Sequence, residues 1–137
     1  MPSSVKLACV DPAMVGQIWP LARDLIRSAS LKTGRGSFER VEAEVLAGKQ
    51  LLWLALDGCE IEAAITTQLV NENGRKLCVL AACGGKNRER WLPLLDGLEE
   101  FARKEGCAEM RIYGRKGWAR VLRSYRVRAV ILGKGLN

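Results

Sequence analysis

With 137 residues the chain is long enough to bury one core without metal or disulfide staples, and a composition of 48% hydrophobic and 27% charged residues fits an ordinary globular protein rather than a disordered or fibrous one. Histidine is absent, which excludes Ser-His-Asp and Cys-His catalysis, histidine general bases and most zinc sites together. The net charge of +7 is uneven: residues 1–70 carry 7 basic and 8 acidic side chains, whereas residues 71–137 carry 15 and 7.

From Met110 onward there is no acidic residue, yet Arg111, Arg115, Lys116, Arg120, Arg123, Arg126, Arg128 and Lys134 fall there. A field of that sign favours a polyanionic partner (a nucleotide cofactor, a nucleic acid or an acidic protein surface), unless it is a solvated face that only aids solubility. The five cysteines, Cys9, Cys59, Cys78, Cys83 and Cys107, include no C-x-x-C pair. Without a basic-then-apolar leader at Met-Pro-Ser-Ser, they read as free thiols of a cytoplasmic protein. Cys78 and Cys83 lie five apart on one expected strand, so they should face opposite sides and share no metal. No metal cofactor is expected. The apolar runs fall far short of the roughly 20 residues that span a bilayer, so no membrane partner is expected either.

Along the chain, Val5 to Val10 reads as a first strand ended by Asp11-Pro12, where Asp caps and Pro opens a helix. Val15, Ile18, Trp19, Ala22, Leu25, Ile26 and Ala29 recur at offsets of three and four and form its buried stripe, with a kink expected at Pro20. After Thr33-Gly34-Arg35-Gly36, Ser37 can cap a second helix that buries Phe38, Val41, Val45 and Leu46 and ends at Gly48. The period then changes. Leu51 to Leu56, Ile61 to Val70 and Lys76 to Cys83 read as a three-stranded antiparallel meander with turns at Asp57-Gly58 and Asn73-Gly74. Gly84-Gly85 should break the third strand, and Pro93 predicts a regular helix beginning near Arg90, with Gly84 to Glu89 as a loop before it. That helix buries Trp91, Leu94, Leu95, Leu98, Phe101 and Ala102 and stops at Gly106. A strand at Ala108 to Tyr113, a short helix at Trp118 to Tyr125 and a last strand at Val127 to Leu132 complete the order β-α-α-β-β-β-α-β-α-β.

That order, over nearly the whole chain, resembles the GNAT acyltransferase superfamily. The segment Leu94-Leu95-Asp96-Gly97-Leu98-Glu99-Glu100-Phe101-Ala102-Arg103-Lys104-Glu105-Gly106-Cys107 is similar to the superfamily's third helix and its terminating glycine. The resemblance implies a single α/β domain over residues 1–137, with a mixed, mostly antiparallel sheet and helices on both faces. It also implies acetyl-CoA as cofactor and an amine as acyl acceptor. In the superfamily a central strand runs into a Q/R-x-x-G-x-G/A loop whose amides and following helix N-terminus hold the pyrophosphate. Counting back from the helix places Lys86 at the first position, Asn87 where a glycine often stands, and Glu89 and Trp91 at the two glycine/alanine positions. The loop therefore departs from the pattern. Cys83, Gly84, Gly85, Lys86, Asn87, Arg88 and Arg90 are the candidates for a shifted cofactor loop, while Gly84-Gly85 also reads as a plain strand-to-helix turn and Trp91 as a core-facing staple.

The chemistry that the resemblance implies is attack of an amine on a thioester, helped by a carboxylate or water and by a tyrosine that protonates the thiolate. Glu60 and Glu62 at the hairpin end are the base candidates. Tyr125 is the acid candidate, although it stands near the phenylalanine of the family's Gly-Phe pair and the usual tyrosine position falls around Arg120; it reads first as core and second as an acid. Cys83 lacks a histidine to activate it and reads as a small buried hydrophobe. Three functions follow as expectations: an acyl-CoA-dependent N-acetyltransferase or acyl-CoA-binding protein; a catalytically inactive GNAT-fold interaction protein, plausibly of a phage or prophage and then in the host cytoplasm; and nucleic-acid binding through the basic half, with Arg120 and Arg123 on one helix face.

Overall fold

The computed structural model describes residues 5–33, 38–86, 88–112, 122, 124–126 and 132–136, the side chains of 30–33 and 88–89 excepted. Strand β1 (Lys6–Cys9) leads through a 3-10 turn (Pro12–Met14) into helix α1 (Val15–Thr33). Asp11 caps the turn as expected, its carboxylate accepting from the Ala13 amide at 2.9 Å. Helix α2 is Phe38–Leu46. Strands β2 (Leu51–Asp57), β3 (Glu60–Glu72) and β4 (Arg75–Gly85) form the meander. The β3–β4 turn is Asn73-Gly74, with φ of 53° and 79°; positive values at both central residues match the right-handed twist of the flanking strands.

After β4 come α3 (Arg88–Trp91), a 3-10 turn (Leu92–Leu94), α4 (Leu95–Lys104) and β5 (Glu109–Ile112). Pro93 sits inside the 3-10 turn. The single helix expected from Arg90 is thus two helical pieces, because proline cannot donate into a continuous α ladder. The expected last helix and strand lie mostly outside the described residues; Leu122, Ser124, Tyr125 and Leu132 are in neither helix nor strand.

The sheet order is β1-β2-β3-β4-β5, antiparallel throughout except for the parallel β4–β5 pair that α3 and α4 connect. It is the mixed, mostly antiparallel sheet the sequence implies. One face carries α1 and α2, with Trp19, Ala22, Ile26, Phe38 and Val45 packed on Leu52, Leu54 and Ala64. The other carries α4, with Leu95 and Leu98 on Trp53, Ile65 and Leu80. Burying each large side chain stabilises the fold by roughly 1.5–3 kcal/mol. Trp53 also meets Phe101 edge-on at 5.0 Å and donates its indole N–H to Thr67 Oγ1 at 2.9 Å.

Two β-bulges interrupt the alternation. In β3, Ala63 pairs with Ala55 and Ile61 with Leu56, so Glu62 is an extra residue. In β4, Ala82 pairs with Thr66 and Leu80 with Thr67, so Ala81 is extra. Each bulge resets which side chains share a face. Cys78 pairs with Leu69 and Cys83 with Ile65, two β3 residues on the α4 face. The cysteines therefore share a face, correcting the expectation from simple alternation. They stand four β3 residues apart, roughly 13 Å along the strand.

Candidate functional site

Among the described residues, strand β5 pairs with β4 from Leu77/Glu109 to Leu80/Ile112, and β4 continues to Gly85. Among the described residues, the edge of Ala81 to Gly85 that faces away from β3 has no strand partner. The Ala81 bulge lies at the start of this stretch, where the extra residue and stronger local twist turn the strand. That stretch is about 16 Å of extended backbone. At the end of this edge, Cys83, Gly84, Gly85, Lys86, Arg90 and Glu62 come together at one corner. Asn87 and the side chain of Arg88 lie outside the described residues.

The paired glycines are not a loop; they are the last two residues of β4. A Cβ on Gly84 would stand 2.0 Å from the Leu25 carbonyl oxygen of α1, and one on Gly85 would stand 2.5 Å from Glu62 O and 2.6 Å from Ala63 Cβ. Close backbone approach is needed here, as the glycine signal suggests, but it is the approach of α1 and β3.

Backbone pairing continues one residue past the strand. The Lys86 amide donates to Glu62 O at 3.0 Å, and the indole N–H of Trp91 donates to Lys86 O at 2.8 Å. Trp91 is buried among Val5, Ala55 and Ala63, with Cys83 and Leu92 against them. It is the core-facing residue the sequence suggests, and it holds α3 down by its polar edge. The Lys86 side chain is exposed.

The bulge at Glu62 explains how its carboxylate reaches α3. Two β3 residues, Glu62 and Ala63, stand opposite Ala55, so Glu62 leaves the α1 face that alternation assigns it. Its side chain is 6% exposed and meets Arg90 Nη1 at 2.6 Å, while Arg90 Nη2 meets Asp57 Oδ2 at 2.8 Å. Glu62 thus serves as an ion-pair partner, and Arg90 bridges two carboxylates. Asp57, read from sequence only as a turn residue, is the member of this cluster that its residue type does not announce.

Tyr125 packs against the α4 face of the core, and its hydroxyl donates to Glu99 Oε2 at 2.7 Å. Burial, and then the carboxylate that accepts its proton, push its ionisation well above the ordinary tyrosine range. Cys83 is half-buried, and burial pushes its thiol up to about 12; Cys78 is pushed up to about 11. Both stay as thiols near neutrality. Among the described residues, no group of three or more His, Cys, Asp or Glu side chains could hold a metal ion, and no helix is long and apolar enough to cross a membrane.

No family model matches the chain, and no curated protein is similar to it at a significant level. Solved structures are similar over nearly its whole length. An aminoglycoside acetyltransferase from an uncultured soil metagenomic sample, in complex with sisomicin, is 12% identical with a TM-score of 0.68, covering 97% of each chain. A Clostridium acetobutylicum protein described as a predicted acetyltransferase, with acetyl-CoA, is 12% identical with a TM-score of 0.66, covering 97% of this chain and 96% of the other. A ribosomal-protein-alanine N-acetyltransferase from Brucella melitensis biovar Abortus 2308 is 10% identical with a TM-score of 0.65, covering 97% and 98%. The pairing of β4 with a short parallel β5, the helices on both faces and these likenesses agree: the chain has the fold of the GNAT acetyltransferases.

Proposed function

We propose that the chain transfers an acyl group from a pantetheine thioester to an amine, with the extended arm of the donor lying along Ala81 to Gly85. The observation that carries this reading is the edge of β4 beyond Leu80, which has no strand partner among the described residues. A pantetheine arm is an extended chain with two amides, so it can hydrogen-bond to that edge as a strand would. Acetyl-CoA, present in the C. acetobutylicum structure of the same fold, is the simplest such donor. Its thioester supplies an activated carbonyl. The amine nitrogen bonds to that carbon, the C–S bond breaks, and the thiol leaves with the proton the amine gives up. In this reading Glu62 and Tyr125 are structural partners of Arg90 and Glu99, and solvent carries the proton.

Hydrogen exchange with and without millimolar S-acetylpantetheine or acetyl-CoA tests the proposal. Slowed exchange confined to Ala81 to Gly85, together with acylation of a primary amine, is the expected result. Absence of any protection or thermal shift with both ligands ends the reading. A second reading, an interaction module of the same fold without catalysis, is favoured by the engagement of both candidate catalytic side chains in pairs of their own. Binding without turnover across a panel of amines would select it. A gel shift at low salt would add nucleic acid as its partner.

A further inference from the structure

We infer that Arg90 is a positioning residue for the acyl donor: it sets the end of the β4 edge that the donor's arm pairs with, acting through Glu62 and not by contact with the donor. The inference rests on the acyl-transfer reading above and adds to it a residue that works at one remove from the arm.

Glu62 is the link. As the extra residue of the β3 bulge, it reaches the end of β4 with both its backbone and its side chain. Its carbonyl oxygen accepts from the Lys86 amide at 3.0 Å and lies 2.5 Å from where a Cβ on Gly85 would stand. Its carboxylate, 6% exposed, meets Arg90 Nη1 at 2.6 Å. Arg90 Nη2 meets Asp57 Oδ2 at 2.8 Å, at the hairpin end where Asp57 pairs with Glu60. The indole of Trp91, next in sequence, donates to Lys86 O at 2.8 Å. Lys86 is thus held by its N–H from β3 and by its C=O from α3, and Arg90 ties those two holders together.

A guanidinium presents its donors in a rigid planar fork, so one side chain can fix two carboxylates at set angles, which a lysine ammonium cannot do. Without that fork the Glu62 carboxylate loses a close ion pair at a buried position and is drawn toward water. Its own backbone turns with it, and the bond from Lys86 N to Glu62 O, which carries the β3–β4 pairing past Gly85, loosens. Leu25 of α1 still covers Gly84, so the change stays at the end of the strand. An extended arm binds best to an edge already fixed in its strand geometry, because ordering the edge at the moment of binding costs affinity.

The full-length parent, Arg90→Lys, and the double variant Glu62→Gln with Arg90→Met, which strands no buried charge, test this. Hydrogen exchange reads the Lys86 amide, calorimetry reads S-acetylpantetheine and acetyl-CoA, and initial rates are taken with a primary amine. The Lys86 amide should exchange faster in the double variant. Kd and KM for both donors should rise by the same factor, about tenfold in the double variant and less in Arg90→Lys, with kcat and the amine KM unchanged. Should the double variant fail to fold, Arg90→Lys decides by the same criteria. A rise for acetyl-CoA alone would mean that Arg90 meets the phosphates directly, and overturns the inference. Unaltered affinity for both donors, a fall in kcat at saturating donor, or a Lys86 amide as slow as in the parent also overturns it. Those results leave acyl transfer standing, whereas a parent that binds neither donor overturns both.

Discussion

Replacing Gly84 by alanine separates a packing role of the paired glycines from a ligand-binding one. The added Cβ would lie 2.0 Å from Leu25 O, 2.7 Å from its carbonyl carbon and 3.1 Å from Ala29 Cβ. Backbone atoms of a helix cannot rotate away, so α1 must lift by more than about 1 Å or β4 must sink by as much. Trp19, Ala22 and Ile26, all buried, ride on that helix. Overpacking of this kind costs about 3 kcal/mol, the upper end of the usual range. For a chain of this size that is a fall in Tm of roughly 10 °C. Gly16→Ala is the matched control: it makes the same chemical change on the exposed side of the same helix, with nothing within 4 Å of the new atom. It should gain about 0.5–1 kcal/mol from helix propensity. Thermal and urea unfolding followed by circular dichroism would read both. A Gly84→Ala protein that melts within about 2 °C of the parent would refute the packing account, since a glycine kept for phosphate approach predicts unchanged stability and lost affinity.

Thr67→Val keeps the side-chain shape but leaves the Trp53 indole N–H without its acceptor, and should lower the urea-unfolding free energy by about 1–3 kcal/mol. Glu42 is held below the ordinary carboxylate range, first by the Trp19 indole at 2.7 Å and then by Arg23 at 2.6 Å. Its folded value is depressed, so its contribution, about 1 kcal/mol for a partly exposed group, is complete above the ordinary range and lost as pH falls through the folded value. The stability gap between parent and Glu42→Gln should therefore stay constant from neutrality to about pH 5 and close below it. With a thiol reagent at pH 8, exposed Cys59 should react first and Cys9, raised by partial burial, should lag. Cys78 and Cys83, pushed up to about 11 and about 12, present about one thiolate in a thousand and one in ten thousand, and should react only on unfolding.

The order of elements as far as β5 was readable because it rests on local signals. The Asp11 cap, the stripe of Val15, Trp19, Ala22 and Ile26, and the turn at Asn73-Gly74 each depend on a few adjacent residues, and the structure uses all of them. The bulges depend on how two strands pair, and nothing in either strand alone marks them. Alternation therefore puts Cys78 and Cys83 on opposite faces and Glu62 toward α1, while the extra residues Ala81 and Glu62 reverse both placements. Pro93 was readable as a helix start but not as the centre of a separate 3-10 turn. A proline fits both, because both tolerate its missing N–H.

The candidate site was legible as a place more than as a set of roles. Sequence spacing brought Cys83 to Arg90 to the end of the central strand, where the structure has Cys83, Gly84, Gly85, Lys86 and Arg90. Residue type then suggested that the glycines admit a ligand, that the arginine meets phosphate and that the glutamate takes a proton. Each group has a nearer protein partner. α1 lies over Gly84, the Arg90 guanidinium bridges Glu62 and Asp57, and the Trp91 indole closes on Lys86 O. Moving Arg90 toward a phosphate would take its charge from a carboxylate that is almost fully buried, a loss that water cannot make good. The proposed reading therefore sets the ligand on the backbone edge of Ala81 to Gly85, where pairing would leave every one of these side-chain contacts in place.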